Sequence, residues 1–423
     1  MTQPGTRRAA ARRTATGRAA AGAPDWRGLL KQAIEEHEGD ILAFCQDLVR
    51  IPTENPPGRG YRECTDRIRL ELSRLELSCE VIEAPGHADC PRRNLLAFHG
   101  EGRRTLYFHG HYDVVPAQAP AQFSPELREG RLFGRGAADM KSGLASMIYA
   151  AHVLKRCEVP LAGRVGLCIV PDEETSGEGG SAWLEHLGRL GQEAAGMLTA
   201  EPTDGVVWNA SRGAITLRVK VAGKAAHVGL QHQGVNAFER MLRVGEKLIA
   251  LKREVETHRT GYRVSPPAAA GSILMLGGRV EGGTNFNMVP ESCAFTLERR
   301  FNPEESIEAE KARIFEVFEC LRGEGIELEA DLLQEGDAAG VSESDPLARA
   351  LSESIESVRG GRPSFEMCPG LLETRWYARR GMPAFAYGPG SLELAHGPDE
   401  AVEMQSVYDC ALVYALTAAR FLA

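Results

Sequence analysis

The residues best suited to chemistry fall in two stretches, 105–117 (TLYFHGHYDVVPA) and 133–143 (FGRGAADMKSG). In the first, the apolar run Leu106-Tyr107-Phe108 reads as a buried strand that delivers His111 and, two residues later, Asp113. An imidazole can bind a metal through one ring nitrogen while a carboxylate accepts the N–H of the other and fixes the tautomer. Taken alone, the pair fits a structural role equally well. The second stretch carries Asp139 in a Gly-rich turn that opens onto a helix predicted over 141–155. Two more apolar runs end in acids: 164–170 leads to Asp172-Glu173-Glu174, and 196–199 leads to Glu201. Adjacent acids raise one another's pKa, so they need solvent or a cation. A solvated acidic loop and a cation site both remain open on this pattern. In open α/β sheets ligands bind beyond the carboxyl ends of the strands. The spacing puts His111, Asp139, Glu173, Glu174 and Glu201 at one such rim.

Positioning these residues requires a sheet flanked by helices. Leu29, Leu30, Ile34, Ile41, Leu42, Cys45, Leu48 and Val49 recur at helical spacing. That helix must end before Ile51-Pro52, because proline restricts its predecessor and cannot continue the ladder. A loop over 53–58, a helix over 61–75 and strands over 79–83, 94–98 and 105–108 come next, the alternation of an α/β sheet. From about Arg212 the texture changes. A strand over 214–221, a helix over 236–253, strands over 271–276 and 293–300, a helix over 305–322 and a strand over 326–333 give βαββαβ order. This is a compact α/β sandwich inserted into the first domain. The chain then returns with a helix over 345–358, a strand over 384–387, His396 in HGPDE and a closing helix through Tyr414. The predicted division is a tail over 1–25, a first domain in two parts, 26–211 and 336–423, and an insert over 212–335.

Composition bounds the function classes. A chain of 423 residues is long for one domain. With 49 Lys and Arg against 58 Asp and Glu the net charge is −9, and basic residues cluster only at the N-terminus, which argues against a nucleic-acid partner. No apolar run approaches the roughly 18 residues of a membrane span. The ten cysteines form no CxxC pair and several sit in apolar runs, which predicts buried thiols and a reducing, cytoplasmic location. Arg7, Arg8, Arg12, Arg13 and Arg18, with no acid before Asp25, read as a disordered tail; a transit peptide would need an amphipathic apolar face that is absent.

The motifs HGHYDVVP, GRGAADMKSG, PDEETSGEGG, AEPT, AAHVGLQHQGVNA, NMVPESCAFTLERRFNP and YGPG…AHGPDE occur in this order and together span the chain beyond the tail. In this they resemble the M20 peptidase group, dinuclear zinc amidohydrolases that include acetylornithine deacetylase, succinyl-diaminopimelate desuccinylase, aminoacylase and carboxypeptidase G. The resemblance implies an α/β fold: a zinc-peptidase-like catalytic domain with a central, mostly parallel sheet, plus an inserted ferredoxin-like α+β lid domain that makes a homodimer. It implies two divalent metal ions per chain, Zn, Mn or Co, with Asp139 bridging them. His111 and Glu201 would complete one site, and Glu174 and His396 the other. Asp113 would orient His111, and Glu173 would act as general base toward the attacking water. Three His or carboxylate ligands per metal leave positions open for water and substrate, as a catalytic site requires. A cis peptide bond between Asp139 and Met140 is also implied. His227, in the insert, matches a histidine that reaches the partner subunit's site and stabilises an oxyanion. Arg300, Asn287 and Arg375 match positions near the substrate's carboxylate.

The chain departs from this pattern at 369–377, where Pro-Gly-Leu-Leu-Glu-Thr-Arg-Trp-Tyr replaces a Gly-Gly-Thr-Asp-Ala-Arg-like segment. The added bulk and Glu373 leave the leaving group open, and Trp376 and Tyr377 read as core aromatics. His109 reads as lining the site without ligating. His37, His87, His152, His186 and His258 have no evident acid partner and take surface or core roles. The resulting expectation is a metal-dependent hydrolase that uses metal-activated water to cleave a C–N bond in a small carboxylate-bearing molecule, an N-acyl amino acid or a dipeptide-like substrate. The alternative is an aminohydrolase that releases ammonia from an amino-aromatic acid. A non-catalytic binding protein on the same scaffold is disfavoured by the complete ligand set together with Glu173.

Overall fold

The computed structural model describes residues 26–175 and 177–423, so the predicted tail lies outside the described residues. A nine-stranded sheet forms the larger body. Its centre is parallel: Thr105–His111 pairs with Arg164–Val170 on one side and Ala194–Thr199 on the other, and Ala384–Ala386 continues beside Ala194–Thr199. In this register His111 faces Val170 and His109 faces Thr199. The three strands therefore end together, and the segments after them leave from one rim. Antiparallel strands complete the edges, Cys79–Ala84 and Arg92–His99 at one and Val207–Ser211 with Ala339–Gly340 at the other. Phe365–Cys368 also joins Val207–Ser211, in parallel.

The central strand is buried along its whole length, as expected of a parallel strand covered on both faces. Alternate side chains go to opposite faces. Leu106 and Phe108 pack beneath a helical layer that includes Ser142–Arg156 and Met404–Phe421. Tyr107 packs on the other side with Cys168, Met197, Trp376 and Tyr377. The single helix expected up to Val49 is instead two, Trp26–Glu35 and Glu38–Arg50. The break lies at the polar segment between Ile34 and Ile41, where His37 turns inward, its Nδ1 2.7 Å from the Ala33 carbonyl and its ring against Tyr149 and His152. The second helix does stop at Arg50, ahead of Ile51-Pro52.

The smaller sheet is antiparallel, in the order Ile273–Gly282, Ser292–Phe301, Gly213–Ala222, Leu328–Gly336. With helices Ala237–Val255 and Ile307–Gly323 it has the βαββαβ sequence and its own apolar core. Asn236 caps the first helix by accepting the N–H groups of Phe238 and Glu239. A short ribbon pairs Ala226–His227 with Met288–Val289. Among the described residues no helix is long and apolar enough to cross a membrane.

Candidate active site

The rim brings together the residues singled out by spacing and His396, which the family resemblance implied. Asp139 stands between two imidazoles, its Oδ1 3.2 Å from His111 Nε2 and its Oδ2 3.3 Å from His396 Nε2. Glu201 Oε1 lies 3.8 Å from His111 Nε2, and Glu174 Oε1 lies 3.3 Å from His396 Nε2. Two groups result, His111–Asp139–Glu201 and Asp139–Glu174–His396, each compact enough for one cation and sharing Asp139. His111 Nε2, Asp139 Oδ1 and Glu174 Oε1 are buried and have no hydrogen-bond partner among the described residues. Buried polar atoms left unpaired cost about 1–3 kcal/mol each, and convergent nitrogen and oxygen atoms of this kind fit divalent Zn, Mn or Co. The acids register the same strain. Burial, then the nearby Asp139, pushes Glu201 up to about 8 and raises Glu174. Burial and the neighbouring acids raise Glu173 well above the usual carboxylate range in spite of His111.

A framework of buried polar groups fixes this geometry. His111 Nδ1 is 3.4 Å from Asp113 Oδ1 and 3.1 Å from the Asp113 carbonyl. The Asp113 carboxylate also accepts the backbone N–H groups of Glu173 and Glu174, at 3.2 and 3.1 Å, so it holds the acidic turn as well. Asn55 joins the two sides, its Nδ2 donating to Asp113 at 3.0 Å, Asp172 at 3.2 Å and Thr175 at 3.0 Å. Asp172 has φ 66° and His396 φ 63°, a region that side chains with a Cβ occupy only when their surroundings over-determine it. For Asp172 those surroundings are Tyr61, Asn55, Arg92 and the Gly179 N–H, all bonded to its carboxylate. For His396, Arg135 donates to its carbonyl at 3.1 Å and pairs with Glu400. Glu400 in turn accepts the N–H groups of Ala138 and Asp139 at 3.0 and 3.1 Å, and the peptide after Asp139 is cis. Glycines let the elements close up. A Cβ on Gly143 or Gly388 would sit 2.3 Å from the Ala200 carbonyl oxygen, beside Glu201.

Arg300 lines the cleft with the acid cluster, a cavity of about 310 Å³ that suits a small molecule. Arg375 does not line it; three residues after the cleft-lining Leu372, it is buried and ion-paired with Glu373 at 3.3 Å. His227 and Asn287 do not line this cleft. His227 is exposed on the ribbon, its Nδ1 accepting the Gly229 N–H at 3.1 Å, and the Asn287 carbonyl accepts the Val228 N–H at 2.9 Å. Trp376 and Tyr377 are buried in the core, as expected. His109 is absent from both ligand groups and bonds to Glu373 instead. One expectation is corrected: His258 does have an acid partner, Glu305, at 2.9 Å. His258, Glu305 and Glu310 form a third compact group, but the Arg299 guanidinium already sits between the acids at 2.6 and 2.7 Å. It is an ion-pair network with its cation built in.

Fold and site define a class first: an α/β enzyme with paired carboxylate–imidazole groups at the rim of a mostly parallel sheet. The sequence profile of Peptidase family M20/M25/M40 matches residues 107–420, and the chain belongs to that family. It is accordingly a hydrolase acting on carbon–nitrogen bonds. A succinyl-diaminopimelate desuccinylase from Methylobacterium radiotolerans is 27% identical over 399 residues, covering 90% of this chain and 96% of that one. An M20 metallo-carboxypeptidase from Sulfolobus solfataricus superposes with TM-score 0.76 at 15% identity, covering 90% of this chain and 99% of that one. A dinuclear-metal-binding M20 peptidase from Bacillus subtilis does so with TM-score 0.63 at 17% identity, covering 92% and 99%.

Proposed function

We propose that the protein cleaves the amide bond of an N-acyl amino acid or dipeptide-like substrate with two divalent cations, bound by His111, Asp139, Glu174, Glu201 and His396. The observation that carries this reading is the set of buried atoms on His111, Asp139 and Glu174 that converge without forming a hydrogen bond among the described residues. When bound, such cations polarise a scissile carbonyl and make a water more acidic. Glu173 lies beside this cluster, its Oε2 3.9 Å from His111 Nε2, yet belongs to neither ligand group. It takes the proton of the attacking water and passes it to the leaving nitrogen. Arg300, on the cleft wall, and Arg375, three residues after the cleft-lining Leu372, read the substrate's carboxylate through the fork of the guanidinium. The desuccinylase and carboxypeptidase names of the relatives fit a small acid-bearing amide.

His227 and Asn287 serve a neighbouring copy in a homodimer. In support, His227 lies on the ribbon and Asn287 just before its second strand, and neither lines its own cleft. Elsewhere on the insert, Leu242 and Ile249 of one helix and Val280 of the edge strand are exposed in a shared groove, an apolar face suited to a second copy of the same sheet. A cytoplasmic setting accords with ten free cysteines.

The test is a panel of N-acyl amino acids and dipeptides against amino-aromatic acids, run with Zn, Mn and Co and scored for free amine and for ammonia. Amine release from the amides is the expected result. Ammonia release from the aromatic acids alone would replace this reading with an aminohydrolase.

A further inference from the structure

A second buried polar cluster, centred on Glu373 one residue after the cleft-lining Leu372, is not used by the proposed ligand set. Glu373 is 1% exposed and receives a donor on every side. Its Oε2 takes His109 Nε2 at 2.9 Å and the Ser181 hydroxyl. Its Oε1 takes Trp376 Nε1 at 2.9 Å and Arg375 Nη2 at 3.3 Å. His109 is fully buried, and its other nitrogen meets the Tyr377 hydroxyl at 3.1 Å. The cluster joins the central strand, the turn after the acidic loop and the segment that departs from the family pattern.

Glu373 is thus fully satisfied, and Arg375 is not. Arg375 is 4% exposed, and its Nη1 is buried without a partner among the described residues. A guanidinium is a rigid fork of five N–H donors, so one anchored nitrogen fixes the direction of the other. Here Nη2 is anchored on Glu373, and the guanidinium carbon lies 5.1 Å over the Trp376 ring. The stem passes Gly336, where a Cβ would come within 3.0 Å of Cδ. Gly336 ends the lid strand whose Gln334 donates to the Thr175 carbonyl at 2.6 Å. Arg375 therefore sits between the end of the acidic turn and the end of the lid strand, three residues after the cleft-lining Leu372, with Nη1 spare among the described residues.

We propose that His109, assisted by Ser181, is a positioning residue for substrate recognition: it locks Glu373, which holds one side of the Arg375 fork so that Nη1 is kept for a substrate carboxylate. This rests on the reading of Arg375 as a carboxylate-binding residue. It assigns a specificity role to His109 and Glu373, neither of which belongs to the ligand groups.

The experiment uses the metal-loaded full chain, the N-acyl amino acid turned over best in the panel, and its C-terminal amide. His109→Ala is expected to raise KM for the acid about ten-fold, the scale of one hydrogen bond to a charged group, with kcat and the amide's KM within about two-fold. His109→Gln, which keeps an N–H donor, should recover most of the loss. Ser181→Ala should shift KM the same way by less. Adding His109→Ala to Arg375→Met should change nothing further, because both act through one fork. Equal losses on acid and amide, additive effects in the double variant, or loss of bound metal in His109→Ala would each overturn the positioning role. If Arg375→Met itself fails to distinguish acid from amide, the carboxylate reading of Arg375 falls and this inference with it. If Arg375→Met distinguishes them and His109→Ala does not, the positioning role alone falls.

Discussion

The backbone N–H of Glu173 donates to Asp113 Oδ1 at 3.2 Å, so the carboxylate beside His111 also anchors the residue proposed as general base. One side chain thereby sets the distance between a ligand strand and the acidic turn. Asp113→Ala should weaken metal binding about 10–100-fold, the usual scale for losing the partner of a ligating histidine, and should lower turnover even at saturating metal because the turn is released. Metal titration and steady-state rates on the same preparation check this. Unchanged rates at saturation would show that the turn holds its place without Asp113.

Glu173 and Glu174 are neighbours with different predicted fates. Glu173→Ala should keep its metal and lose at least about 100-fold in kcat, as expected when a general base is removed. Glu174→Ala should lose metal from the His396 side. The reverse pattern would mean that the two roles are exchanged.

Much of this site is legible in the sequence because short apolar runs such as 106–108 and 164–170, flanked by turn residues, read as buried strands, which puts the residues just after each run at the rim. Alternation likewise marks Gly213–Ala222, whose burial pattern swings between its two faces. Val207–Ser211 and Phe365–Cys368 go unread because each is short and mixes polar with apolar residues, and their strand character comes from the neighbours they pair with. The supports are hidden for a related reason. Asn55 meets Asp113 across 58 positions, and Glu400 meets Asp139 across 261, so nothing local marks them as partners. His258 and Glu305 are missed in the same way, since their contact exists only once the insert has folded.

Protons should trade against metal. Burial pushes Glu201 up to about 8, and the Asp139 and Glu174 carboxylates raise His396 to about 10. Without cations, the folded chain holds protons that the unfolded chain has released above the ordinary values of 4.5 and 6.5 for these groups. Stability falls with pH wherever the folded state binds more protons than the unfolded. Asp139, which the imidazoles of His111 and His396 hold low despite burial, acts only at more acidic pH. The Tm of chelated protein should therefore fall from about pH 5 to about pH 9, while the gap to the metal-loaded protein widens. Glu201→Gln should flatten the slope. A chelated Tm that rises over this range would contradict the assignment.

If His227 serves the partner's cleft, two inactive variants should rescue each other. His227→Ala alone should cost about 100–1,000-fold in turnover, the usual loss of one oxyanion donor. A mixed dimer of His227→Ala and Glu173→Ala has one site lacking both residues and one with both intact. Subunit exchange should restore part of the activity, read by amine release alongside native mass spectrometry. Verified heterodimers with no recovery would place His227 outside the reaction.

The reading as a whole turns on whether hydrolysis needs both cation positions around Asp139. Chelated wild-type protein is titrated with Zn, Mn or Co while bound metal and amine release from the N-acyl amino acid panel are recorded together. Turnover should be absent without metal and should climb to its maximum as occupancy approaches two per chain, with Asp139→Asn failing at both. Amine release from metal-free protein, or a chain carrying two ions that hydrolyses none of the amides, would contradict it.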